Sequence, residues 1–175
     1  MQQIIELALR KTVNFLPSEL KVMPPDRWNE STFRYQFCRS LSEIDNEIVQ
    51  RVECSRIDLV LRMPIKSAFI EFKFYQKNPK YDPYTDEHDG FKGGPGKKNL
   101  SEFKKCIEEL AEWDSTENLF KYVVLVYADD KKEPADRTSF SKNYNSFTHP
   151  KAKRLLALPV NSGSHRIQCH LYEVT

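Results

Sequence analysis

The sequence predicts an α/β fold, and three patterns in its 175 residues carry that expectation. Two neighbouring segments alternate in polarity, as half-buried strands do. Two others repeat apolar residues at three- to four-residue steps, as amphipathic helices do. Residues 120–128 (FKYVVLVYA) are almost wholly apolar, as in a strand covered on both faces. The length fits one domain over residues 1–175.

Taken in order, residues 2–16 read as a helix with Ile5, Leu9 and Leu16 near one face, and Pro17 is expected to stop it. After Pro24-Pro25, a second helix is expected over about residues 26–42, with Phe33, Phe37 and Leu41 as its core face and Asp26 or Asn29 as its cap. Residues 47–53 form the weakest strand pattern, followed by 56–63 and 68–75. The short link between those last two contains Pro64 and predicts a hairpin. Residues 76–98 read as a polar loop rich in Pro, Asp and Gly. A third helix is expected to start at Asn99, with Glu102 completing a capping box and Leu100, Phe103, Ile107 and Leu110 as its apolar face. The apolar run follows. Residues 129–153 carry no assignable pattern, and Ile167, Cys169 and Leu171 alternate as a final strand.

Bulk composition excludes more than it selects. The net charge of +2 names no partner, but residues 137–172 hold six Lys/Arg and no Asp or Glu. A basic end on an otherwise slightly acidic chain suits a polyanion. Cys38, Cys54, Cys106 and Cys169 are widely spaced, with no Cys-x-x-Cys and no His at zinc-ligand spacing, which reads as reduced thiols of a cytoplasmic protein. No signal peptide or membrane span is expected from the sequence. Gly93-Gly94-Pro95-Gly96-Lys97-Lys98 lacks the spacing and the Ser/Thr of a nucleotide-binding phosphate loop, though a basic loop before a helix can touch a phosphate backbone. Tyr81, Tyr84, Tyr144 and Phe147 are weak candidates for stacking on bases.

The unusual residues are Glu71 and Lys73, charged positions inside an otherwise apolar strand. Two apart, they project on one face at roughly 7 Å spacing. Asp58 lies thirteen residues earlier in the preceding strand, and hairpin pairing brings it beside Glu71. Two buried carboxylates raise each other's pKa unless a cation compensates, and oxygen-only ligands favour Mg²⁺ or Mn²⁺ over zinc. Glu30, three residues before Phe33, falls near the core face of its helix and is a third carboxylate within reach.

Ile57-Asp58 … Glu71-Phe72-Lys73, with Glu30 on the preceding helix, resembles the PD-(D/E)XK nuclease superfamily over residues 28–128. The match departs at Ile57, where the signature has Pro. The resemblance implies a restriction endonuclease-like αβββαβ core, a mixed central sheet flanked by helices. It implies Asp58, Glu71, the Phe72 carbonyl and Glu30 as ligands of Mg²⁺, with Mn²⁺ as a substitute. Lys73 would orient or deprotonate the nucleophile and stabilise the developing charge. The expected activity is that of an endonuclease on DNA, of restriction, repair or defence type. A ribonuclease with the same centre and a catalytically idle interaction module are the alternatives. Lys97, Lys98, Lys142, Lys151, Lys153 and Arg154 are the expected nucleic-acid contacts. With little room for a separate specificity domain, the loops after Tyr75 and Ala128, a second copy of the chain or a partner subunit would read the substrate.

Overall fold

The computed structural model describes residues 1–22, 28–81, 88–92, 95–113, 118–130, 139–162 and 165–175. Helix α1 (Gln2–Val22) leads into α2 (Glu30–Ile44), and three strands follow: β1 (Val49–Cys54), β2 (Ile57–Arg62) and β3 (Ser67–Gln76). A two-stranded ribbon, β4 (Asn78–Tyr81) and β5 (His88–Lys92), precedes α3 (Lys97–Glu112). Then come β6 (Leu119–Asp130), the short α4 (Phe140–Tyr144), β7 (Ala152–Ser162) and β8 (His165–Val174).

Six strands form one mixed sheet in the order β1-β2-β3-β6-β8-β7. β2 and β3 are the expected antiparallel hairpin, and β3 lies parallel to β6 from Ser67↔Leu119 to Gln76↔Ala128. α1 and α2 cover one face, where Ile5, Leu9, Phe33, Phe37 and Leu41 pack on Leu59, Ile70, Phe72 and Val124. α3 and α4 cover the other, where Phe103, Ile107, Leu110, Phe140 and Tyr144 pack on Tyr75, Val123 and Leu125. Every residue of β6 from Tyr122 to Ala128 is buried, which is why its sequence loses the alternation of its neighbours.

Several boundaries differ from the sequence expectation, each for a physical reason. Pro17 sits inside α1 and does not end it. An interior proline costs a helix roughly 3 kcal/mol. Burying an aliphatic side chain returns roughly 1.5–3 kcal/mol, and Val13 and Leu16 before it are buried while Leu20 beyond it packs on the core. α2 starts at Glu30, with the Asn29 side chain accepting from the Thr32 N–H at 2.9 Å, so Asn29 is the cap; Asp26 lies outside the described residues. α3 starts at Lys97 with Gly96 as its N-cap and no side-chain cap, so the capping box at Asn99 and Glu102 does not form. Glu102 instead lies 3.8 Å from Lys98. The ribbon β4–β5 occupies part of the expected loop.

β7 escaped the sequence reading altogether. It is the edge strand of the sheet, paired to β8, so Pro159, which has no N–H to give, is tolerated there. A register shift between Arg154 and Leu156 also breaks its period. Tyr144 and Phe147 are buried around Phe103, with ring centroids 5.6 and 4.9 Å from it, and are not available for stacking on bases. Tyr84 lies outside the described residues.

Candidate active site

The site begins where the β2–β3 ladder stops. Pairing runs from Arg62↔Ser67 to Leu59↔Ile70 and goes no further. At the next position the Asp58 carboxylate replaces the backbone partner, its Oδ2 accepting from the Phe72 N–H at 2.8 Å. The side chain of Asp58 is thereby fixed to β3, close enough to Glu71 for the two charges to interact. Glu30 reaches the same place from the first turn of α2.

Lys73 is the centre of the group. Its Nζ lies 3.7 Å from Glu30 Oε2, 3.8 Å from Glu71 Oε2 and 4.0 Å from Asp58 Oδ2. It also donates to the Phe72 carbonyl at 2.7 Å. Burial opposes the charge on Lys73, but the carboxylates of Glu30, Asp58 and Glu71 help to hold the ammonium above its ordinary range. Burial first, and then the neighbouring Asp58 charge, push Glu71 up to about 8. Glu30 is raised as well, chiefly by burial. Cys106 is pushed up to about 12, chiefly by burial, and is an inert thiol at neutral pH.

Glu30, Glu71 and Lys73 line an open cleft of about 860 Å³, together with Glu102, Lys105, Cys106 and Glu109 of α3 and Trp113 just beyond it, while Asp58 lies behind them and does not line the cleft. No predicted nucleic-acid residue lines this cleft. Lys97 and Lys98 are exposed on the first turn of α3, and Lys142 is exposed on α4. The side chain of Asn143, next to Lys142, bonds the Pro95 carbonyl at 3.1 Å, so those three lysines surround one helix end. Lys151, Lys153 and Arg154 are exposed at the start of β7, and Arg154 donates to the Asn145 carbonyl at 2.6 Å.

Arg34 is the site residue that the sequence reading missed. It is only 5% exposed, with Nη1 donating to Asp58 Oδ1 at 2.9 Å and Nη2 to Glu53 Oε1 at 2.6 Å. The signal for it was available. Arg34 follows Glu30 by four residues on one helix and adjoins the Phe33–Phe37 stripe, so it shares the inward face. Glu53, its other partner, is held at φ 53° near the end of β1, a region sparsely used by non-glycine residues. Arg34→Met strands Asp58 without its partner. Breaking such a pair typically costs roughly 3–5 kcal/mol, and since Glu53 is solvent-exposed the expected loss here is about 2–4 kcal/mol. Urea unfolding of the two proteins measures it.

Comparison with known protein families, curated proteins and solved structures finds no match. The functional reading rests on the geometry.

Among the described residues, no three His, Cys, Asp or Glu side chains already form a ready-made cation site. A positive group nonetheless has its place there. Three carboxylates and one backbone carbonyl converge on a single cation, the Lys73 ammonium. The donors are all oxygen, the set that hard divalent cations take. Asp58, Glu71, Glu30 and the Phe72 carbonyl offer oxygen donors of the kind Mg²⁺ or Mn²⁺ takes, around a point that the Lys73 ammonium occupies.

Proposed function

We propose that the chain is a metal-dependent phosphodiesterase with a restriction endonuclease-like core of the PD-(D/E)XK type, cutting nucleic acid, with DNA as the first substrate to test. The observation that carries this reading is the convergence of Asp58, Glu71 and Glu30 on Lys73 where β2 and β3 part, beside a cleft that Glu30, Glu71 and Lys73 line. Element order supports it too, since α2, β1, β2, β3, α3 and β6 follow the αβββαβ sequence of that core, with the separate β4–β5 ribbon inserted before α3.

In this reading Asp58 and Glu71 hold the ion, joined by Glu30 and the Phe72 carbonyl. The bound ion supplies polarisation of the phosphate and a more acidic water. The rest falls to the chain. Phe72 N–H and Arg34 keep Asp58 oriented. Lys73 would orient or deprotonate the nucleophile and supply positive charge to the phosphorane-like state.

The test is incubation with supercoiled, linear and single-stranded DNA and with RNA, in Mg²⁺, Mn²⁺ or EDTA. Cleavage that EDTA abolishes is expected, and the substrate that is cut separates the deoxyribonuclease from the ribonuclease. The idle interaction module has one observation in its favour: the α3 wall presents Glu102, Glu109 and Glu112 to the cleft against Lys105, an acidic surface for a polyanion. It takes over if binding occurs and no metal gives cleavage.

Backbone binding has its own test. Nucleic-acid affinity should fall steeply with salt, and Ala at Lys142, Lys151, Lys153 and Arg154 should reduce the slope of log K against log [salt] by about 0.9 for each duplex phosphate no longer neutralised. An unchanged slope would make these four residues ordinary solvated surface.

A further inference from the structure

β1 and β2 are joined by a two-residue hairpin turn. Cys54 pairs with Ile57, and between them Ser55 and Arg56 stand at φ 54° and φ 72°. Positive φ at both central residues is what a tight type I′ hairpin requires, and asparagine followed by glycine is the usual way to supply it. Here the second position carries Arg56, a long side chain on a backbone conformation that crowds any Cβ. The turn itself gains nothing from arginine. Strain of this kind is concentrated where a side chain is held for function.

Arg56 lines the cleft, and it stands two residues before Asp58 at the start of β2. It is exposed, and no hydrogen bond or ion pair joins it to another described residue. The other two cations lining the cleft are already engaged. Lys73 lies among three carboxylates, and Lys105 lies 3.2 Å from Glu109. Glu102 and Glu112 add further negative charge to the same wall. A phosphodiester backbone entering this cleft needs a positive group that is not yet neutralised. Among the described lining residues, Arg56 is that group.

We infer that Arg56 is a substrate-binding residue whose guanidinium grips a backbone phosphate of nucleic acid inside the cleft. This rests on the reading of the chain as a nuclease. The planar fork of arginine donates two parallel N–H bonds to the non-bridging oxygens of one phosphate, and it stays charged at any working pH. The turn is only two residues long, so it fixes the root of that side chain relative to the strand that carries Asp58. A phosphate contact carries no base information; Arg56 therefore sets the affinity and the register of the backbone, and not a sequence preference.

The experiment reads binding in EDTA, with no reliance on turnover or on a metal ion. Fluorescence anisotropy follows labelled duplex DNA, single-stranded DNA and RNA oligonucleotides across a salt series. Arg56→Gly accepts the turn's positive φ at no steric cost, so it tests the side chain and not the turn. It is expected to bind about tenfold more weakly at low salt. The slope of log K against log [salt] should fall by about 0.9 on duplex or about 0.7 on a single strand, the share of one phosphate. Arg56→Lys keeps the charge without the fork; it should retain the slope and bind with intermediate affinity. Arg51→Gln removes an equal charge from β1 of the same hairpin, at a residue that does not line the cleft, and should leave the slope unchanged. Wild-type affinity and slope in Arg56→Gly would overturn the inference and leave the nuclease reading standing, as would equal losses in Arg51→Gln and Arg56→Gly. Wild type that binds none of the three oligonucleotides would remove the nuclease reading, and the inference with it.

Discussion

Lys73→Ala should lose cleavage by a factor of about 10²–10⁴ while still binding Mg²⁺ at least as tightly as wild type. The two halves of this expectation come from the same geometry. The Lys73 ammonium is the cation on which Glu30, Asp58 and Glu71 already converge, so a metal ion must share that space with it. Truncation removes a competitor for the ion and, with it, the charge that would stabilise the reacting phosphate. Without metal, the variant should be less stable than wild type, because three carboxylates lose their common partner; Mg²⁺ should restore much of that loss. Calorimetric titration alongside single-turnover cleavage separates these effects. Retained cleavage in folded Lys73→Ala would mean that the ammonium has only a structural role.

The second large effect is on stability against pH. Glu71 titrates at about 8 in the folded chain against an ordinary value of 4.5, with burial the first cause and Asp58 the second. The folded state therefore binds a proton that the unfolded state has lost. The stability contributed by neutral Glu71 is complete below about pH 4.5 and disappears as pH rises through about 8. Metal-free protein should accordingly lose Tm across that window, and Glu71→Gln should flatten the decline. Mg²⁺ competes with the same proton, so its stabilising effect should grow as pH rises through about 8. Differential scanning calorimetry of both proteins, with EDTA or Mg²⁺, reads all three trends. A pH profile that is identical in Glu71→Gln would place the titrating group elsewhere.

What the sequence made legible, and what it did not, follows from the range of the forces involved. Glu71 and Lys73 stood out because a strand's two-residue period is local, and charge in an apolar strand breaks it visibly. The hairpin that brings Asp58 to Glu71 was legible for the same reason. The inward placing of Arg34 on α2 was legible, but its partners were not, because Asp58 and Glu53 lie 24 and 19 residues away and only the packing of α2 on the sheet joins them. β7 was missed because an edge strand with a proline and a bulge retains little period of its own; its pairing with β8 supplies what propensity does not. Pro17 misled in the opposite direction, since a strong local breaker was overridden by tertiary burial on both sides of it.

The basic residues show a further limit. Composition located an acid-free stretch, yet placement depends on the fold, and these lysines and arginine surround the N-terminus of α3 and the start of β7 without lining the cleft. If nucleic acid is the substrate, its backbone reaches them across the surface, while the reacting phosphate alone approaches Lys73.

The most direct test of the proposed centre is Mg²⁺-dependent DNA cleavage by wild type and Asp58→Asn, prepared in parallel and shown by circular dichroism to be equally folded. Asparagine keeps the shape of Asp58 and a carbonyl oxygen for the Phe72 N–H, but removes the charge that binds the ion. The account predicts EDTA-sensitive cleavage by wild type and none by Asp58→Asn with either Mg²⁺ or Mn²⁺. Near-native cleavage by the folded variant would contradict it.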